Sequence, residues 1–181
     1  MTKKEINVLD YAGYILKGVN KGVLLTTKAD GRVNTMTISW GTLGIEWQKF
    51  IFTTFVRKGR FTREQLDKNP EFVISIPYGE YDKKILGFCG THSGRDVDKI
   101  KAMNLTLEEG DKVSVPAIKE LRLTLECKVV YHQLQDLNAL NNQEWRQSFY
   151  PADKPGTFSG SNQDAHIAYS GEIVKAYIIE G

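Results

Sequence analysis

Leu121-Arg122-Leu123-Thr124-Leu125-Glu126-Cys127-Lys128-Val129-Val130-Tyr131-His132 is the stretch that decides the fold. Leu121, Leu123, Leu125, Cys127, Val129 and Tyr131 alternate with Arg122, Thr124, Glu126, Lys128 and His132. A period of two is that of a strand with one face buried and the other polar. A helix would scatter the same apolar residues around its circumference.

Working outward, the same reading predicts strands over 22–27, 34–40, 50–56, 72–77, 118–132 and 167–179. Ala29-Asp30-Gly31-Arg32 joins the first two as a hairpin, because Asp-Gly tolerates positive φ. Helical segments are few. One is predicted over 60–69, with Thr62 as N-cap, Gln65 completing a capping box and Pro70 stopping it. A second spans 93–103, capped by Ser93 with Asp96 and Asp98 in its first turn. A third covers 135–146. Many strands with few helices, and no βαβ alternation, predict a mainly β fold: a β-barrel with peripheral helices.

The chain has 181 residues, which suits a single domain over 1–181. Its 24 basic and 22 acidic residues leave a formal charge of +2, no electrostatic footprint for nucleic acid. Two cysteines, Cys89 and Cys127, make no disulfide framework. Lys3, Lys4, Glu5, Asp10 and Lys17 interrupt any signal-like apolar run, and no stretch approaches the ~20 apolar residues of a membrane span. The expectation is a soluble cytoplasmic protein.

The densest run of reactive side chains is 88–99, with Cys89, His92, Ser93, Arg95, Asp96 and Lys99. Gly90-Thr91-His92-Ser93-Gly94 misses the spacing of a nucleophile elbow. A Cys89 nucleophile with His92 or His166 as base stays open beside a buried structural cysteine and a capping serine. Cys89, His92, Cys127 and His132 have the look of a zinc set. However, Cys127 and His132 lie five residues apart on one strand, an odd offset that sends them to opposite faces unless a bulge intervenes. No dinucleotide or Walker glycine pattern occurs.

Two segments agree on an anion. The turn Arg57-Lys58-Gly59-Arg60 leads a strand into a helix, and 91–95 does the same before the next. Helix starts offer free N–H groups, and arginine adds paired hydrogen bonds to phosphate oxygens. Solvated surface charge is the plainer alternative. In 34–40, Met36, Ile38 and Trp40 take one face and Thr35, Thr37 and Ser39 the other. A hydroxyl face suits a flat heteroaromatic ring, or equally an amphipathic strand facing water.

Together, "NTMTISWGTLG" (34–44), "FVRKGRFTREQLDKNPEFVISI" (55–76), "GFCGTHSGRDVDKIK" (87–101) and "DAHIAYSGEIVKAY" (164–177) resemble the flavin reductase-like, FMN-binding split-barrel family, which includes flavoredoxin-like members. The resemblance covers most of the chain. It implies a split barrel, a homodimer and FMN near the subunit interface. The first block, Asn34, Met36, Thr37, Ile38, Ser39 and Trp40, would face the isoalloxazine ring. Val56, Arg57, Arg60, Phe61 and Thr62 would hold the phosphate end. Gly90, Thr91, Ser93, Gly94, Arg95 and Lys99 would complete the cofactor site, and His166 would lie on the nicotinamide side. The resemblance implies hydride transfer from NAD(P)H through FMN to a small-molecule or protein acceptor, with no catalytic side chain and no metal. A flavoredoxin-like electron carrier is the alternative. The segment 143–163, with Pro151, Pro155, Gly156 and Gly160, is either a loop over the cofactor or plain surface.

Overall fold

The computed structural model describes residues 2–153 and 163–180; residues 154–162 of the 143–163 segment lie outside them. In chain order the elements are β1 (Thr2–Glu5), α1 (Val8–Lys21), β2 (Val23–Ala29), β3 (Arg32–Ile38), β4 (Gly41–Glu46) and β5 (Lys49–Arg57). There follow α2 (Phe61–Lys68), β6 (Glu71–Ile76), α3 (Lys84–Thr91), α4 (Lys99–Ala102), β7 (Leu107–Glu108) and β8 (Ala117–Ile118). The chain then runs through β9 (Leu123–Leu134), a 3-10 turn at Leu137–Ala139, α5 (Gln143–Phe149) and β10 (His166–Glu180).

Strands β3, β2, β6, β9, β10, β5 and β4 lie side by side in that order, all pairings antiparallel, and β1 joins β10. The two end strands, β3 and β4, are consecutive in the chain and joined only by Ser39 and Trp40. Such a link spans about 10 Å at most. The sheet therefore rolls until its edges approach each other at Ser39–Trp40, giving the mainly β barrel that the sequence predicts.

The Asp30-Gly31 hairpin forms as expected, with φ of 51° and 75°. A second two-residue hairpin, Trp47-Gln48, has φ of 50° and 60° without glycine or asparagine. It carries no turn signal in sequence, which is why β4 was not predicted. Helix α1 was also missed, although Val8, Ile15 and Val19 recur at helical spacing and Asn7 caps it by accepting from the Leu9 amide at 3.0 Å. Those three side chains enter the barrel core beside Leu25, Phe52, Phe72 and Leu125. Each fully buried side chain of this kind contributes roughly 1.5–3 kcal/mol.

The structure of 118–132 differs from the expected single alternating strand in three places. Residues 117–118 form a separate short strand, and β9 begins at Leu123. Thr124 and Glu126, expected on a polar face, are fully buried like Leu123, Leu125 and Cys127. The Glu126 carboxylate is satisfied there by the amides of Asp111 and Lys112 at 2.8 and 2.7 Å. Beyond Cys127 the register slips, with Val129 opposite Gly171 and Tyr131 opposite Ser170, so Val130 is a bulge. The bulge resets the alternation and brings His132 to the face of Cys127, against the odd-offset argument. Strand rise still keeps them roughly 15 Å apart. Cys127 is in the core, whereas His132 is exposed against Tyr169.

The helix predictions also shift. In α2 the N-cap is Arg60, without a side-chain cap, and no capping box forms. Thr62 instead accepts from Asn34 at 3.1 Å, and Gln65 bonds Thr27 at 2.6 Å and the Arg32 carbonyl at 2.9 Å. No helix runs over 93–103. The run of reactive residues spans the end of α3, a turn at Ser93, and the start of the four-residue α4, which Asp98 caps. The segment 135–146 splits into the 3-10 turn and α5.

Candidate functional site

A trough of three contiguous hollows follows the barrel seam. The innermost, of about 70 Å³, lies between β3, the start of α2 and the end of α3, and Asn34, Arg60, Phe61, Thr62, Gly90, Gly94 and Lys99 line it. The middle hollow, of about 250 Å³, takes Met36, Thr37, Ile38, Ser39 and Trp40 along one side, with Phe55, Arg57, Arg60 and His166 opposite. The outermost, of about 380 Å³, is reached past Ser39, Trp40 and Phe55, and Leu16, Val19, Asn20, Gln135 and Tyr150 complete it.

Fold topology explains this assembly. His166 and Arg57 are register partners on β10 and β5, so both project from the same outer face of the barrel. The first residues of α2 follow Arg57 within four positions and bring Arg60 and Phe61 to the same place. Gly94 comes so close to β3 that a Cβ there would lie 2.0 Å from Asn34 Oδ1 and 2.8 Å from the Phe61 ring. Only glycine permits that approach.

Charge is concentrated at the inner end. Lys99 is only 4% exposed, and its ammonium donates to the Thr35 carbonyl at 2.8 Å and the Cys89 carbonyl at 2.9 Å. Burial, with Arg60 nearby, lowers its pKa to about 8. Burial also lowers Arg60, and Arg57 and Arg95 add repulsion that Asp164 partly offsets. Arg57 donates to the Asp164 and Phe149 carbonyls at 2.6 and 2.8 Å and lies over the Tyr150 ring. Like charges gathered and desolvated this way favour an anion among them. The residues thus fit a phosphate-bearing ligand whose ring lies toward Trp40.

His166 sits where cationic and aromatic walls meet. Its Nδ1 shares a hydrogen bond of 2.8 Å with the Tyr150 hydroxyl, and its ring is 5.0 Å from that of Trp40. Burial, then Arg57 and Arg60, push its pKa down to about 3, so it is neutral at physiological pH. Cys89 is buried at the floor, and burial raises its thiol to about 11, which leaves little thiolate for nucleophilic work.

Most residues expected at the site line this trough. Four do not. Val56 is turned into the barrel core. The Thr91 hydroxyl donates back to the Gly87 carbonyl at 3.0 Å within α3. Ser93 is buried, with its Oγ accepting from the Arg95 amide at 3.0 Å. Arg95 pairs with Glu64 and donates to the Gly59 carbonyl. The second expected helix start is therefore a helix end followed by a turn, which leaves the start of α2, Arg57 and Lys99 as the groups that could hold an anion. Two hydroxyls of the expected face are also spent internally, since Thr35 bonds Thr26 and Thr37 donates to the Leu86 carbonyl at 2.6 Å, while Ser39 lines the trough. Phe55, Tyr150, Gln135 and the α1 residues were missed. Phe55 had a signal in its outward position next to inward Val56, and Tyr150 lies in the 143–163 segment read as a loop over the cofactor or plain surface.

Among known proteins, the model of the flavin reductase like domain matches residues 17–181. An uncharacterized protein of Archaeoglobus fulgidus is 31% identical over 130 residues, 72% of this chain and 69% of its own length. The crystal structure of flavoredoxin from Methanosarcina acetivorans has a TM-score of 0.63 at 26% identity, covering 88% of this chain and 68% of its own. An FMN-binding domain of a flavin reductase-like enzyme from Shewanella baltica has a TM-score of 0.66 at 17% identity, covering 98% and 77%. The barrel with its seam is thus the split barrel of these structures. By sequence match over nearly its whole length, the chain belongs to the flavin reductase-like domain family.

Proposed function

We propose that the protein is an FMN-dependent oxidoreductase that takes a hydride from NAD(P)H and passes electrons to a small-molecule or protein acceptor. The observation that carries this is a trough with Arg60 and Lys99 at its inner end, Arg57 and Arg60 facing Trp40 and Phe55 in its middle hollow, and Trp40 and Phe55 continuing into the outer one. Arg60, Lys99 and the first amides of α2 would hold the phosphate. The Met36–Trp40 segment would lie along the isoalloxazine ring, and neutral His166 beside Trp40 would orient the nicotinamide. Bound FMN supplies the hydride chemistry, and the chain positions it and keeps water away.

Exposed Ile45 on edge strand β4 and Trp47 in the turn that follows it, with Tyr131 near Trp47, support pairing of two copies there. Among the described residues no helix is long and apolar enough to cross a membrane, and a cytoplasmic location belongs to this proposal. The similarity to a flavoredoxin favours one second reading, an electron carrier that exchanges electrons with a protein and not with nicotinamides.

The experiment is a visible spectrum of the purified protein with added FMN, followed by anaerobic mixing with NADH and NADPH. Bound flavin that bleaches supports the reductase. Flavin that bleaches only with a reduced protein partner supports the carrier, and no flavin binding overturns both.

A further inference from the structure

Gly59 stands just before Arg60, and side chains hold both of its peptide groups. Its amide donates to Asp164 Oδ2 at 3.1 Å, and its carbonyl accepts from Arg95 Nη1 at 3.0 Å. Asp164 reaches the turn a second time, since its own carbonyl accepts from Arg57 at 2.6 Å. Beside it the Lys58 amide donates to the Ala165 carbonyl at 3.2 Å, so the pairing of β5 with β10 runs up to this grip. The fit is close. A Cβ on Gly59 would lie 2.6 Å from Asp164 Oδ2, and the described atoms it would meet within 4 Å, outside its chain neighbours, all belong to this carboxyl group. Asp164 borders none of the three hollows of the trough; it lines a separate one with Lys58, Gly59 and Arg63. Arg60, by contrast, lines the inner and middle hollows, and α2 starts there without a side-chain cap. A helix start of that kind leaves its first amides for a ligand.

We propose that Asp164 is a positioning residue for the anion end of the site: by gripping the Gly59 amide it fixes the direction in which Arg60 and the first turn of α2 face a phosphate. The inference rests on the flavin reading above and adds to it a residue outside the trough. Charge alone would act the other way. A carboxylate near Arg57 and Arg60 offsets part of their positive charge, which disfavours a second anion beside them. Geometry and charge therefore predict opposite effects when this side chain is changed. The bond from Arg57 to the Asp164 carbonyl involves only the backbone of Asp164, so every substitution at 164 keeps it.

Fluorescence titrations of the full chain with FMN and with riboflavin separate the two. Asp164→Ala removes the acceptor and is expected to weaken FMN about tenfold, the worth of one charge-assisted hydrogen bond, with riboflavin within about twofold. Asp164→Asn carries the same net charge as Asp164→Ala but keeps a carbonyl oxygen for the Gly59 amide. It should restore FMN to within about threefold of the parent. Gly59→Ala pushes the carboxylate away and should match Asp164→Ala. In the double variant the added methyl has no carboxylate to displace, so the further loss should stay below about twofold. Four results overturn the inference: Asp164→Ala binding FMN at parental strength or better, Asp164→Asn as weak as Asp164→Ala, additive losses in the double variant, or equal losses of FMN and riboflavin. Any of these with FMN bound to the parent leaves the flavin reading standing, whereas a parent that binds no FMN removes both.

Discussion

The Lys99 ammonium donates to the Thr35 carbonyl at 2.8 Å, so a buried cation ties α4 to β3 at the inner end of the trough. Its second bond, to the Cys89 carbonyl, adds the end of α3 to the same tie. One side chain thus joins three elements and places a positive charge where the phosphate is assigned.

This joint makes FMN binding proton-linked. Burial lowers Lys99 to about 8, and an anion beside it favours the charged form. Binding therefore takes up a proton above that pKa, and FMN affinity is expected to fall as pH rises from 7.5 to about 9.5. Riboflavin, which lacks the phosphate, should show no such slope. Lys99→Met should lose the slope and weaken FMN by about 10–100-fold, the worth of a charge-assisted hydrogen bond. Fluorescence titration of both flavins over this range decides; parallel slopes for FMN and riboflavin would remove Lys99 from the phosphate end.

Gly94 makes a steric prediction at the same place. A Cβ at this position meets Asn34 and Phe61 well inside contact distance. Asn34 is itself bonded to Thr62 at the start of α2, so a displacement there reaches the phosphate side. Gly94→Ala is expected to cost about 1–3 kcal/mol of stability. It should also lower FMN affinity more than riboflavin affinity. Gly87→Ala, whose Cβ meets nothing within 4 Å, is the control and should leave both unchanged.

His166 governs the acid side. Its pKa is lowered to about 3 by burial and then by Arg57 and Arg60, while in the unfolded chain it returns to about 6.5. Between those values the unfolded state binds more protons, so stability falls as pH drops below 6.5. At pH 5 the penalty is on the order of 2 kcal/mol. His166→Asn abolishes the titration and should flatten the loss between pH 7 and pH 5 in urea melts. An unchanged slope would mean that the imidazole accepts its proton in the folded protein.

Arg57 and Arg60 test the anion side directly. The double variant Arg57→Ala, Arg60→Ala removes two cations from one wall and is expected to weaken FMN by about 100-fold or more, at roughly 1.5–3 kcal/mol per charged hydrogen bond. Riboflavin should lose far less. FMN binding at full strength in this variant would mean that the phosphate lies elsewhere.

Much of the site was legible because its residues are consecutive. Residues 34–40 and 57–62 each supply a continuous wall, so local motifs carried them. The capping serine misled, because Ser93 before two aspartates looks like a helix start, whereas the chain has just left α3 and uses Ser93 Oγ to close a turn on Arg95. Phe55, Gln135 and Tyr150 meet only because β4, β5 and the segment after β9 converge at the barrel seam, a tertiary fact without local signature. The barrel was legible from β9 for a similar reason. Its period of two is local, but the cover over its outer face is not, and Glu126 shows the difference.

Glu126 is charged, sits at a polar position of the alternation and is nonetheless fully buried. The loop before β8 turns two backbone amides onto its carboxylate, from Asp111 at 2.8 Å and Lys112 at 2.7 Å. Both partners are donors, so the position requires a group that only accepts. Glu126→Gln keeps the shape but presents an NH₂ to one of the two amides, leaving two donors face to face and an amide unsatisfied. The expected cost is about 1–3 kcal/mol, read as a lower urea midpoint with an unchanged m-value. Glu126→Ala exposes both amides and should cost more. A Gln variant as stable as the parent would mean that the carboxylate is not what holds this loop against β9.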